Sequence, residues 1–348
     1  MMKNISKIMV MVVLCMMAIS VFFPSQVLAH YHPAYLRSIS DFGSRNRRWM
    51  SGLQDTKKLS ELSIPGTHDT MSLGWGGDIV QTQGLSLEDQ LNVGIRYIDI
   101  RVRAYDNAFS IHHGLVYLHS NLDDVLTTLK KFLQENPRET VFMRLKQEYS
   151  KVKDGEFNRI LNQYFDNPAY HDLFYTGYDN NPSLQQVRGK VVTLNNFLGA
   201  RYGISYPANF DIQDNYHLST NWSLYDKWVG VKDHINKANN DNGRHTFITY
   251  LSGSGGSFPY FVVSGHSSPG IGAPRLATGL THPGWAGSYP DFPRVNWFIG
   301  IATIAFEGTN VLTSEYMDKQ GEQLKHTGIV VTDFPGEALI NNIIKRNQ

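Results

Sequence analysis

The chain has 348 residues, with 32 basic and 31 acidic side chains, a formal net charge of +1 and one cysteine. That balance speaks against a dedicated nucleic-acid binder, which carries a basic excess, and against membrane docking by electrostatics alone. A lone cysteine rules out an internal disulfide, so stability must come from an ordinary core.

Residues 1–29 read as a targeting segment. Lys3 and Lys7 precede an almost wholly apolar stretch over 8–23, and Val27-Leu28-Ala29 closes it with a small residue. This is the order of a secretory signal peptide, with cleavage expected after Ala29. The apolar stretch is short for a retained span, and Cys15 lies inside it, not at its end where a lipid anchor would need it. Removing Lys3 and Lys7 leaves 30 basic residues against 31 acidic ones. The expectation is a secreted, monomeric protein exported by a bacterium, with no nucleic-acid partner and one catalytic domain over 30–348.

After a polar lead-in over 30–58, strand and helix patterns alternate. A strand is expected over 59–64. Ser86-Leu87-Glu88-Asp89 is a capping box that opens a short helix to about residue 92. A strand follows over 95–102, then an amphipathic helix over 121–136 with Leu122, Val125, Leu126, Leu129 and Leu133 on one stripe. Strands are read over 140–149, 190–194, 210–214, 245–251 and 328–333, and helices over 156–165, 224–238, 315–324 and 337–344. Residues 297–305 read as a strand or buried segment. Residues 252–294, rich in Gly, Ser, Pro, His and aromatics, break the rhythm and form a long irregular rim. The fold class is α/β, and seven or eight βα units in this length fit a closed TIM-type barrel better than an open sheet.

Chemistry concentrates at strand ends. Ser63-Ile64-Pro65-Gly66-Thr67-His68-Asp69 and Ser110-Ile111-His112-His113-Gly114 set histidines beside glycines. Between them, Ile98-Asp99-Ile100-Arg101-Val102-Arg103 places Asp99, Arg101 and Arg103 on one strand face and three aliphatics on the other. Asp333 ends the last strand, which in a closed barrel lies beside the first. Two imidazoles suit proton transfer, an arginine fork suits phosphoryl oxygens, and a buried carboxylate suits orienting an imidazole. Plainer readings stand beside these: a hydrogen-bonded structural His68, a metal half-site or polar surface at His112-His113, a buried Asp99–Arg101 pair, and a mere turn at Asp333.

The motifs at 63–69, 98–101 and 112–114, with Leu145-Lys146-Gln147-Glu148-Tyr149, resemble those of the bacterial phosphatidylinositol-specific phospholipases C. The likeness continues through 188–192, 212–216 and 329–333. It implies a distorted TIM-type barrel that cleaves phosphatidylinositol at membrane surfaces to diacylglycerol and a cyclic inositol phosphate. It implies His68 as general base, Asp333 as its orienting carboxylate, Arg101 on the phosphoryl oxygens, and His113 with Asp69 as general acid. The substrate-binding set is Asp99, Lys146, Asn196, Asp214 and Tyr216. Of these, the resemblance suggests Lys146, Asp214 and Tyr216 for the inositol ring. Asn195-Asn196-Phe197 departs from a pattern that often has arginine there, and residues 252–323 fit poorly.

Because Arg101 stands where some relatives hold Ca²⁺, no metal and no cofactor are expected. Trp75 and Trp285, with Phe258, Tyr260 and Phe261, are expected to form an aromatic membrane-contacting rim. The alternatives are a metal-dependent glycerophosphodiesterase-type barrel and a non-catalytic binder of inositol lipids or glycans.

Overall fold

The computed structural model describes residues 32–35, 42, 46–150 and 152–348; the expected signal peptide lies outside the described residues. Eight parallel strands curl into a barrel: β1 (Ile64–Thr67), β2 (Tyr97–Tyr105), β5 (Val141–Gln147), β6 (Val191–Asn196), β7 (Ile204–Ser205), β8 (Phe210–Gln213), β10 (Thr246–Tyr250) and β15 (Ile329–Thr332). The last strand lies beside the first, with Ile64 opposite Ile329 and Thr67 opposite Thr332. No ladder pairing joins β7 to β8 among the described residues, so the barrel is open along one seam. A hairpin of β3 (Ala108–His113) and β4 (Val116–Asn121) stands off β2.

Helices clothe the barrel: α1 (Leu87–Val93), α2 (Leu122–Glu135), α3 (Asp154–Asp166), α4 (Leu184–Val187), α5 (Leu224–Asp241), α6 (Pro259–Ser264), α7 (Thr309–Gln320) and α8 (Glu337–Lys345). Of the capping box expected at Ser86, the side-chain half forms: the Ser86 hydroxyl accepts from the Asp89 amide at 3.1 Å, while the Asp89 carboxylate accepts from that hydroxyl at 2.7 Å and not from the Ser86 amide. The α2 stripe is buried as the periodicity requires.

Strand alternation organises the interior. Ile98, Ile100 and Val102 of β2 pack outward with α1 and α2, while Tyr97 joins Ile64, Phe142, Ile248 and Val331 inside. Gly66 is required where β1 passes Tyr97, because a Cβ there would lie 2.8 Å from that side chain. Above this apolar plug the inward positions turn polar. Asp99 sits opposite Arg144, and Arg101 opposite Lys146, itself opposite Asn196. The apolar end closes the barrel; the polar end forms the site.

Three expectations change. Residues 59–61 form a single 3-10 turn and β1 starts only at Ile64, because Leu59 and Leu62 share the plug at the i, i+3 spacing of a tight turn. The segment 297–305 is no single strand. It is the turn and return of a hairpin, β13 (Arg294–Phe298) and β14 (Ile301–Ala305), which with β12 (Ala277–Thr281) makes a separate antiparallel sheet. Helix α7 starts at Thr309, not 315. Its first six residues are buried on all sides, so no amphipathic period marks them. Gly308 just before it admits no side chain, since a Cβ would meet the Val263 backbone at 2.1 Å.

At the closed end, Arg96 and Glu139 are fully buried partners, with Nη2 2.8 Å from the carboxylate and Nη1 donating to the Leu91 and Ile95 carbonyls. Arg96→Met strands the Glu139 charge in the interior. It is expected to cost about 3–5 kcal/mol, measured as a lower midpoint in urea unfolding.

Candidate active site

His68 follows β1 and Asp333 follows β15, and the β1–β15 pairing brings them together. The His68 amide donates to the Thr332 carbonyl at 3.0 Å, and His68 Nδ1 lies 2.8 Å from Asp333 Oδ1. On the other side of the ring, Arg101 Nη2 is 2.7 Å from Nε2. A guanidinium only donates, so Nε2 carries the lone pair and Nδ1 carries the proton given to Asp333. Burial, then the Arg101 charge, holds the imidazole well below its usual range, so it stays neutral.

Arg101 is fixed by carboxylates. Nε and Nη2 donate to Asp99 Oδ2 at 3.2 and 3.1 Å, and Nη1 lies 3.3 Å from Asp69 Oδ2. Burial opposes its charge, but Asp99 and Asp69 outweigh that and raise its pKa. Asp99 also feels the burial penalty, yet Arg101 and Arg144 pull its carboxyl far below the ordinary range. Asp69 is raised, chiefly by burial.

His113 ends β3. Its Nδ1 donates to the Val80 carbonyl at 2.8 Å and lies 3.3 Å from Asp69 Oδ2. A carbonyl only accepts, so Nδ1 is protonated and Nε2 is the nitrogen free to exchange protons with a ligand. The five residues thus form one line of contacts, Asp333–His68–Arg101–Asp69–His113, drawn from both ends of the chain.

A cavity opens at the polar end of the barrel. Its wall includes His68, Arg101 and His113, together with Arg144, Lys146, Asp214 and Tyr216, and with Ile79, Thr82 and residues 252–254. Two residues expected to bind substrate stand behind this wall. Asp99 is buried beneath the two arginines. Asn196 turns its Oδ1 to Arg144, accepting from Nε at 3.2 Å and Nη2 at 2.7 Å. Arg144 was not among the expected site residues: its guanidinium lies 4.5 Å over the Tyr206 ring and pairs with Asp99 at 3.3 Å. Its position two residues before Lys146 on the same strand face was the available signal. Lys146 itself pairs with Glu148 at 3.0 Å.

The aromatic set divides. Trp75 is 55% exposed with its ring against His119, and Trp285 is 49% exposed. Phe258 is also exposed, but Tyr260 and Phe261 are core residues of α6 and cannot contribute to a surface. Among the described residues, no group of three or more His, Cys, Asp or Glu side chains is placed to hold a metal ion, and no helix is long and apolar enough to cross a membrane.

A parallel barrel with paired imidazoles and a caged guanidinium at its C-terminal rim defines a phosphoryl-handling α/β enzyme. Residues 56–196 match the family described as "Phosphatidylinositol-specific phospholipase C, X domain". The chain is 33% identical over 292 residues to the 1-phosphatidylinositol phosphodiesterase of Staphylococcus aureus strain Newman, covering 73% of this chain and 91% of that one. It is 32% identical over 326 residues to the Listeria monocytogenes protein of the same name, covering 87% of this chain and 85% of that one. The solved phosphatidylinositol-specific phospholipase C from Listeria monocytogenes superposes with a TM-score of 0.65 at 29% identity, over 88% of this chain and all of that one. The chain belongs to the bacterial phosphatidylinositol-specific phospholipase C family, a family of phosphoric diester lyases.

Proposed function

We propose that the protein is a secreted, metal-independent phospholipase C that cleaves phosphatidylinositol to diacylglycerol and inositol 1,2-cyclic phosphate. The observation that carries this reading is the contact line from Asp333 to His68, Arg101, Asp69 and His113. Arg101 now donates to the His68 lone pair; phosphoryl oxygens entering the cavity offer that guanidinium a better acceptor and release the imidazole. His68 Nε2 then takes the proton of the inositol 2-hydroxyl, whose oxygen attacks phosphorus. The glycerol C–O–P bond breaks at phosphorus, and His113 Nε2 protonates the departing oxygen, with Asp69 as countercharge. Attack from within the same ring makes the step intramolecular, so positioning supplies much of the rate. Lys146, Asp214 and Tyr216, which line the same cavity, are the groups for the sugar ring in this reading.

Phosphorus NMR of products from purified protein and phosphatidylinositol in excess chelator tests the reading. A five-membered cyclic phosphate signal is expected. Phosphoinositol formed only after Ca²⁺ is restored points to a metal-dependent barrel enzyme, and the absence of any product points to a binding protein.

The lipid substrate requires contact with a bilayer, and the exposed aromatics offer it. Trp285 lies just past the β12–β14 ladder of the sheet that ends in the β13–β14 tip, its amide donating to the carbonyl of Thr281, which faces Thr303 in mid-β14. At that tip Phe298 is 73% and Ile299 83% exposed, in a stretch without charge from 295 to 306. Trp75→Ala combined with Trp285→Ala is expected to weaken vesicle binding about 10-fold or more, by loss of buried aromatic area. Turnover of a soluble short-chain substrate should stay unchanged. Sedimentation with phosphatidylinositol-containing vesicles measures the first and a colorimetric assay the second.

A further inference from the structure

The cavity holds a second guanidinium besides that of Arg101. Arg144 lies in its wall, on β5, with a side chain only 8% exposed. Both arginines rest on one buried carboxylate: Arg101 donates to Asp99 Oδ2 from Nε at 3.2 Å and Nη2 at 3.1 Å, and Arg144 Nη1 donates to Asp99 Oδ1 at 3.3 Å. Register explains the arrangement, since the β2–β5 pairing sets Asp99 opposite Arg144 and Arg101 opposite Lys146. Asp99 thus fixes the spacing of two cationic donors in one cavity.

The rest of the Arg144 cage is neutral. Asn196 Oδ1 accepts from Nε at 3.2 Å and from Nη2 at 2.7 Å, Nη1 donates to the Tyr250 hydroxyl at 3.3 Å, and the guanidinium lies over the Tyr206 ring at 4.5 Å. A guanidinium has five N–H groups. Nε spends its one on Asn196, Nη1 its two on Asp99 and Tyr250, and Nη2 one of two on Asn196. One Nη2 N–H is left without a partner among the described residues, on a side chain already clamped by its neighbours. An oxygen that meets it gains a charge-assisted hydrogen bond at little ordering cost.

Arg101 stands in the contact line between the two imidazoles and serves the phosphoryl oxygens, so its neighbour on Asp99 is left for the remainder of the headgroup. A single directed N–H suits a neutral hydroxyl oxygen. A phosphate on the ring calls for a free fork, which Arg144 no longer has.

We propose that Arg144 is a specificity-determining residue for the headgroup, donating its remaining Nη2 N–H to a hydroxyl oxygen of the inositol ring while Asp99, Asn196 and Tyr250 hold it in place. The inference rests on the phosphatidylinositol reading and adds a group that recognises the ring. Hydroxyls other than the attacking one are unchanged along the reaction, so this contact is equal in ground and transition states and shows in KM, not kcat.

The experiment compares wild type, Arg144→Met and Arg144→Lys by turnover of a soluble short-chain phosphatidylinositol and by saturation-transfer NMR titration with myo-inositol and, separately, inorganic phosphate. For Met, KM is expected to rise about 10-fold or more with kcat within about 3-fold, myo-inositol to bind about 10-fold more weakly, and phosphate to stay within about 2-fold. Lys, which keeps the charge on a mobile single point, is expected to weaken myo-inositol as well, and carries the test if Met does not fold. A fall in kcat at unchanged KM and myo-inositol affinity would make Arg144 a mere support for Asp99, and lost phosphate affinity would place it on the phosphoryl group. Either overturns the proposal, as does a wild type that gives no myo-inositol signal. Because myo-inositol is titrated without turnover, a wild type that cleaves no phosphatidylinositol removes the proposed function and leaves the Arg144 assignment to be judged by the titration.

Discussion

His68→Ala is expected to lower kcat on a soluble substrate about 10⁴-fold with KM nearly unchanged, the largest effect of any single change in the molecule. The imidazole is half of a pair whose geometry leaves no other group able to accept the 2-hydroxyl proton. Arg101 is permanently charged, Asp99 is buried beneath it, Asp69 is engaged between Arg101 and His113, and the acid role takes His113 Nε2 for the leaving oxygen. Asp333→Asn is expected to lose nearly as much. An amide turned with its NH₂ toward Nδ1 favours the tautomer with the proton on Nε2, where Arg101 also donates. The pH profile follows from sign. A base works unprotonated, and burial and Arg101 hold His68 well below its usual 6.5. The acid limb of wild-type kcat/KM should therefore lie below pH 6.5, activity falling only as pH drops through the lowered value. An acid limb at or above 6.5 would mean the proton acceptor is a different, solvated group. Circular dichroism of the Ala variant distinguishes lost chemistry from lost fold.

Arg101→Lys should be the second largest loss, about 10²–10³-fold in kcat/KM, the scale of removing a preorganised donor from a developing anion. The guanidinium serves three directions at once: Nη2 to His68, Nε and Nη2 to Asp99, Nη1 to Asp69. A lysine ammonium keeps the charge but is a single point on a flexible stem, and reaches one of these at a time. The loss should appear in chelator and in Ca²⁺ alike, because the cationic role is built from covalent protein. Rescue of Arg101→Lys by added Ca²⁺ would show that the carboxylates around position 101 accept an ion, and would overturn metal independence.

Much of this was legible before any coordinates. The alternation through Ile98–Arg103 put Asp99 and Arg101 on one face, and barrel closure placed Asp333 beside His68; both placements stand. What escaped was register between strands. Arg144 reads in sequence as one charged residue on a strand face, and only the pairing of β2 with β5 sets it against Asp99. The pairing of β5 with β6 likewise explains Asn196, whose side chain is spent on Arg144. Residues 309–314 were missed because burial on every side erases helical periodicity, leaving Thr, Asn and Ser that resemble a loop. Tyr260 and Phe261 were assigned to a surface because a glycine-rich neighbourhood hides a short buried helix.

The open seam carries a consequence for selectivity. Strands β1, β2 and β15, which bear or lead into His68, Arg101 and Asp333, are each flanked by ladders on both sides. Strand β8, which leads into Asp214 and Tyr216, is laced to β10 alone. Stiffness is therefore divided across the cavity: the side proposed to meet the reacting phosphorus is held firm, and the part of the proposed ring side carried by Asp214 and Tyr216 is compliant, while Lys146 on β5 is laced on both sides. Amides of 210–216 should exchange with deuterium well before those of 64–68 and 329–333, and tolerance of bulky ring substituents should exceed tolerance of changes at the phosphate.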